Sequence, residues 1–138
     1  MKVQFIALMM VCSIFMWSCT KNNDTTVGGK TGMATLLVTP AVPANGGFLT
    51  VDPGGIVYIK YNSTTFPGTN TSVYDDSTRV GNNTPNTFIQ ASFQQLSDGN
   101  YYLYFVGTHD KTIHTSGSVA ITIFKQTGHA EAVLYVHP

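Results

Sequence analysis

Residues 96–108 read Leu-Ser-Asp-Gly-Asn-Tyr-Tyr-Leu-Tyr-Phe-Val-Gly-Thr, and no other stretch constrains the fold as strongly. Ser97-Asp98-Gly99 is turn-forming, and six aromatic or aliphatic residues follow closely. Four of those six are Tyr or Phe, side chains that suit a pleated, half-buried surface. Successive side chains in a strand point to opposite faces. Tyr101, Leu103 and Phe105 therefore share one face, and Tyr102 and Tyr104 share the other.

The same two-residue period runs through much of the chain. In 56–61 (Ile-Val-Tyr-Ile-Lys-Tyr), Val57, Ile59 and Tyr61 form the face expected in the core, with Ile56, Tyr58 and Lys60 opposite. Residues 87–93 put Ile89, Ala91 and Phe93 together; 118–125 do so for Val119, Ile121 and Ile123, and 130–136 for Ala132, Leu134 and Val136. A first strand is expected over 32–39, ended by Pro40, which cannot donate to a ladder. Residues 41–47 read as a connection and 48–51 as a short strand. Asp52-Pro53-Gly54-Gly55 is a turn: Pro53 presets its φ and the glycines accept positive φ. Residues 62–86 are rich in Ser, Thr, Asn, Gly and Pro, with Phe66, Val73, Tyr74 and Val80 as isolated anchors. So long a connection predicts a short edge strand near 72–75. Further on, 108–112 reads as a turn, 113–115 as a brief extended piece, Gly117 as a break and Gln126-Thr127-Gly128 as a hairpin-like turn. No helical period is sustained beyond the N-terminus. The fold class expected is all-β: a single antiparallel β-sandwich of seven or eight strands.

The N-terminus is of another kind. Met1-Lys2 is followed by an apolar run to Trp17, too short for a comfortable membrane span of about 20 residues and suited to a secretory signal. Met16-Trp17-Ser18-Cys19 resembles a bacterial lipobox, although Trp17 is bulky for its position. Thr20-Lys21-Asn22-Asn23-Asp24 is similar to the polar tether of Bacteroidetes lipoproteins. Cys12 is a poorer acceptor, since Val11 precedes it and the apolar run continues. The expected organisation is a signal peptide over 1–18, a flexible tether over 19–31 with lipid on Cys19, and a sandwich over 32–138. Two or three acyl chains anchor stably at roughly 0.8 kcal/mol per buried methylene. With both cysteines so used, the mature domain has neither thiol chemistry nor a disulfide. Asp24-Thr25-Thr26 and Asp76-Ser77-Thr78 each resemble a short O-glycosylation acceptor of that group, or are plain loop.

Charge narrows the function classes. Lys+Arg number 7 and Asp+Glu 7, and 10% of residues are charged against roughly 25% in an average domain. That leaves no basic field for a phosphate backbone, so no nucleic-acid partner is expected. His109, Asp110 and His114 come nearest to a metal set, but their spacing fits no ligand pattern. His129 and His137 are eight residues apart on one strand, too far to share an ion. Asp75-Asp76 with Asn82-Asn83 could offer hard oxygens to calcium, without the calcium-loop spacing. No metal or other cofactor is expected. There is no nucleophile elbow, phosphate-cradling loop or zinc-protease motif, and Glu131 is the only glutamate. A hydrolase would need acidic or His side chains to converge in a cleft.

Leu96-x-x-Gly99-x-Tyr101-x-Leu103 resembles the turn-then-strand signature of transthyretin-like and carboxypeptidase-regulatory-like domains, and of collagen-adhesin repeats. The resemblance implies an immunoglobulin-like sandwich in which Tyr101 takes the tyrosine-corner role. The pairing of 57–61 with this strand is similar to small Bacteroidetes lipoproteins. Such modules bind, space or support, which implies a non-enzymatic, lipid-anchored module of the cell envelope, at the outer membrane. Its partners would be the membrane, through the anchor, and an envelope protein or a glycan. Tyr58, Tyr102 and Tyr104 are the candidate ligand-binding residues, since exposed aromatic stripes stack on sugars and pack on proteins. Phe66 and Tyr74 are loop aromatics that could join them. The alternative is that these rings pack beneath a neighbouring loop, and exposure decides between the two.

Overall fold

The structure, a computed structural model, describes residues 28–82, 89–124 and 127–138. The signal peptide, Cys12, Cys19, Asp24-Thr25-Thr26, Asn83, Phe88, Lys125 and Gln126 lie outside the described residues. The described residues form nine strands: β1 (Ala34–Ala44), β2 (Gly47–Thr50), β3 (Ile56–Tyr61), β4 (Asp76–Arg79), β5 (Gly81–Asn82), β6 (Ile89–Leu96), β7 (Gly99–His109), β8 (Ile113–Ile123) and β9 (His129–Tyr135). They build a sandwich of two sheets. Sheet A runs β2-β1-β6-β5, with β9 also on β1, and sheet B runs β4-β3-β7-β8.

The alternation seen in the sequence is the burial seen in the fold. Leu36, Val38, Ala91, Phe93 and Leu134 of sheet A meet Val57, Ile59, Tyr101, Leu103, Phe105 and Ile123 of sheet B, all buried. Val136 and Leu96 join them from just past β9 and from the end of β6. Tyr101 forms the expected corner. Its hydroxyl donates to the Ser97 carbonyl at 2.5 Å and accepts from the Gly29 N–H at 3.0 Å. Its ring meets Tyr61 edge-on.

Four local expectations are corrected. Pro40 does not end β1, which continues to Ala44. On one side β1 pairs with β6 over Ala34–Val38 and with β2 over Ala41–Ala44. Pro40 falls in the gap between them and pairs only with Leu134 of β9, so its missing donor costs no ladder bond there. Residues 41–47 are accordingly strand, then a tight Asn45-Gly46 turn into β2. Gly117 does not break the chain either: β8 passes straight through it. A side chain at Gly117 would run into the Tyr135 carbonyl, so glycine allows the C-terminal chain to cross here. Ser116 and His137 then exchange two backbone hydrogen bonds of 2.9 Å and link the sheets. The edge strand expected near 72–75 lies at Asp76–Arg79, and Thr71–Val73 is a 3₁₀ turn capped by Asn70.

The longest-range surprise is β9. It makes no hairpin with β8; it crosses to sheet A and pairs in parallel with β1 from Thr35↔His129 to Ala41↔Tyr135. Residues 28–31, expected as the end of a tether, are instead bound to the sandwich. Asn62 brackets Gly28 with two hydrogen bonds, Gly29 meets Tyr101, and Lys30 pairs with Asp76 at 2.6 Å. The Gly32 N–H reaches the Gln95 carbonyl, so the chain enters β1 at the Leu96 end of the molecule.

Candidate functional site

The outer face of sheet B carries the three candidate tyrosines. Tyr58 on β3 lies directly opposite Tyr104 on β7, and Tyr102 faces Lys60. The segment between β3 and β4 folds over this face. Phe66 sits 5.7 Å from Tyr104 and 5.8 Å from Tyr102, ring centre to ring centre. Tyr74 stacks on Tyr104 at 5.8 Å and tilts against Tyr58 at 5.7 Å. Tyr104 is left only 8% exposed, whereas Tyr58 and Tyr102 are half-buried. The rings are thus used to hold a loop down, and Tyr104 has no face free for stacking.

Polar bonds lock the same loop. The Tyr74 hydroxyl donates to the Gly68 carbonyl at 2.9 Å. Burial first, then the neighbouring Tyr104 and Tyr102, push the Tyr74 phenol up to about 12. Asp75 accepts from the Tyr61 N–H at 2.7 Å and from the Lys60 ammonium at 2.9 Å. Asp76 is paired with Lys30. The two carboxylates weighed for calcium are therefore engaged with different partners. At the other end of this face, Arg79, Ile56, Tyr58, Val106 and Thr108 line a shallow polar depression of about 410 Å³.

The histidines do not converge. His109 reaches across to the Thr50 carbonyl with Nδ1 at 2.9 Å; a carbonyl only accepts, so Nδ1 carries the proton. Its Nε2 lies 3.5 Å from Asp110, which is well exposed. His114 is paired across β7 with Thr108 instead. No group of three His, Cys, Asp or Glu that could hold a metal is present among the described residues.

Sheet A has an open groove on its outer face. Thr39, Pro40 and Ala41 of β1, Phe48, Leu49 and Thr50 of β2, Gln90 of β6, and Glu131 and Val133 of β9 line about 360 Å³. Phe48 is 61% exposed and its ring leans on Tyr135, centroids 5.4 Å apart. Val133 lies across from Thr39, whose hydroxyl accepts from the Gln90 amide at 3.0 Å. Glu131 is the one carboxylate among the described lining residues. None of these positions was a candidate in the sequence, yet a signal was there. The outward set of β9 is Glu131, Val133 and Tyr135, and two large apolar residues pointing to solvent ask for a reason.

No family model matches the chain, and no curated protein gives a significant match. Among solved structures it is similar to a Pseudomonas aeruginosa protein described as a "putative carbohydrate binding protein". The TM-score is 0.50 at 9% identity, covering 78% of this chain and 90% of that one. The likeness is one of fold.

Proposed function

We propose that this chain is a non-catalytic binding module held at the cell envelope, at the outer membrane, by lipid on Cys19. The observation that carries the binding reading is the sheet A groove: an exposed aromatic ring and an apolar lining with amide, hydroxyl and carboxylate groups beside it. On sheet B the segment between β3 and β4 covers most of the tyrosine face, and the depression at its other end is polar. Placement supports the same reading. The chain enters at the Ala34 end of β1, and the groove lies near Ala41, roughly 23 Å further along at strand rise. A tether leaving the entry end would leave the groove toward the far end of the sandwich.

A second reading, in which the ligand is a glycan, draws support from the Pseudomonas neighbour and its printed description. A hydrolase is the least supported class. Glycoside hydrolysis ordinarily uses two facing carboxylates, and the groove offers Glu131 alone among the described residues.

Two experiments test the proposal. Cys19→Ala should move the protein from the membrane fraction to the soluble one, and an unchanged distribution removes the anchor. Cross-linked capture from the native envelope should return a partner that is lost in Val133→Arg, which fills the groove from its exposed side. A partner retained by Val133→Arg places the binding surface elsewhere.

A further inference from the structure

We infer that the sheet A groove is a subsite for a neutral pyranose, stacked on Phe48 and hydrogen-bonded by Gln90, Glu131 and the neighbouring threonines. The inference rests on the binding-module reading above and supplies its ligand class.

A pyranose ring presents C–H groups on its faces and hydroxyls round its edge. A site for it needs an exposed aromatic ring and, at right angles, groups that both donate and accept. Phe48 supplies the ring. It stays in solvent because every residue of β2 is exposed, and it stays oriented because Tyr135 buttresses it at 5.4 Å and 34°. A ring already held in place loses less conformational freedom when a ligand arrives. Gln90 supplies an amide whose direction is set by its bond to Thr39, and Glu131 supplies a strong acceptor for hydroxyl protons. Val133, Ala41 and Pro40 supply the groove's apolar lining.

The lining also says what does not fit. Among the described residues it contains no Lys or Arg, so a uronate, sulfate or phosphate would meet Glu131 with no counter-charge there. A wholly apolar peptide would cover Glu131 and Gln90 without satisfying them. The volume of about 360 Å³ is near the small end of the usual range of roughly 300–1,000 Å³, suited to one or two sugar rings.

The test uses the full lipidated chain in detergent and calorimetric titration with neutral β-linked and α-linked hexose disaccharides. Galacturonate and sulfated disaccharides, and an apolar peptide, serve as competitors. The expected result is saturable binding of a neutral disaccharide, weakened roughly tenfold by Phe48→Ala and by Glu131→Gln, and unchanged by Tyr102→Ala. Phe48 is exposed, so the Phe48→Ala melting temperature should match wild type, and Val133→Arg gives an independent block. Binding that survives Phe48→Ala and Val133→Arg overturns the assignment, as does binding of the acidic sugars or the peptide alone. If no saccharide binds while envelope capture still returns a groove-dependent partner, the sugar inference falls and the binding module stands. If capture also fails, both fall.

Discussion

Tyr74 lies parallel to Tyr104, with ring centroids 5.8 Å apart and planes 17° apart. That pair decides what the sheet B tyrosines are for. Tyr104 is enclosed by Tyr58, Phe66 and Tyr74, so its ring stabilises the fold of the covering loop rather than waiting for a ligand. Tyr104→Ala should destabilise by roughly 3 kcal/mol, toward the low end for buried aromatics. Tyr102→Ala, at a half-buried position, should cost well under half as much. The double variant should melt early rather than lose a ligand while staying folded. Thermal unfolding of the three variants checks this; a wild-type melt for Tyr104→Ala would mean that the loop is held by other contacts.

The corner at Tyr101 makes a second prediction. Its hydroxyl fastens two things at once: the Ser97 carbonyl in the turn that carries the chain from β6 to β7, and the Gly29 N–H of the entering chain. Tyr101→Phe keeps the ring and removes both bonds. It should cost about 1–3 kcal/mol by urea denaturation, because both part-buried partner groups lose their hydrogen bond. Tyr101→Ala should cost roughly 3–5 kcal/mol, as loss of a core aromatic does. Hydrogen exchange gives the sharper signal: the Gly29 amide should lose protection in Tyr101→Phe while the β3 and β7 amides keep theirs.

The inward faces were legible because one-sided burial imposes a period of two, and Val57, Ile59, Leu103 and Leu134 follow it. The corner was legible because it is local: a turn, a glycine and a tyrosine within five residues. Pro40 and Gly117 misled for the same physical reason. Both are local breakers whose effect is set by what lies alongside, a gap between partner strands in one case and a crossing chain in the other. The parallel pairing of β9 with β1 joins residues about ninety apart, and no local pattern encodes it. The site was less legible still. Alternation tells which side of a strand faces outward, but whether Tyr104 is covered depends on the path of residues 62–75. It equally leaves open whether Phe48 and Tyr135, on strands far apart in sequence, form one surface.

Acid should loosen the junction between the two sheets at Asp52. Its carboxylate accepts from the Lys111 backbone N–H at 2.7 Å and from the Thr108 hydroxyl at 2.9 Å. Those bonds, Lys111 first, hold the carboxyl below its ordinary value. The ionised form is thus favoured by folding. Its stabilisation is present above the ordinary carboxylate pKa of about 3.9 and is lost as pH falls below that through the lower folded value. The turn it holds is one that ordinary residues enter reluctantly, with Asp110 at φ 51° and Lys111 at φ 61°. Asp52→Asn should therefore be less stable than wild type at neutral pH, with the gap closing in the acid limb below about pH 4. Denaturation curves across that range check it; a gap that persists unchanged into acid would assign the loss to packing instead of charge.

Base should report on two half-buried tyrosines of the sheet B side, Tyr74 over its outer face and Tyr61 beside the corner. Burial is the main cause that pushes the Tyr74 and Tyr61 phenols up to about 12, helped for Tyr61 by the charges of Asp76 and Asp75. A raised folded value means that their stabilising effect is complete below the ordinary phenol pKa of about 10 and is lost as pH rises from there through about 12. An ultraviolet titration should show these two phenols ionising well above the ordinary phenol range, with unfolding following their ionisation. Phe66→Ala should loosen the cover and bring the Tyr74 titration back toward 10, while leaving Tyr61, beneath the corner, where it is. Asp76→Asn should do the converse and lower Tyr61 only in part, because burial is the larger cause. If Tyr74 ionises near 10 in the folded wild type, the loop stands open in solution. Tyr58, Tyr102 and Tyr104 would then form a free platform, and the sheet A groove would have a rival.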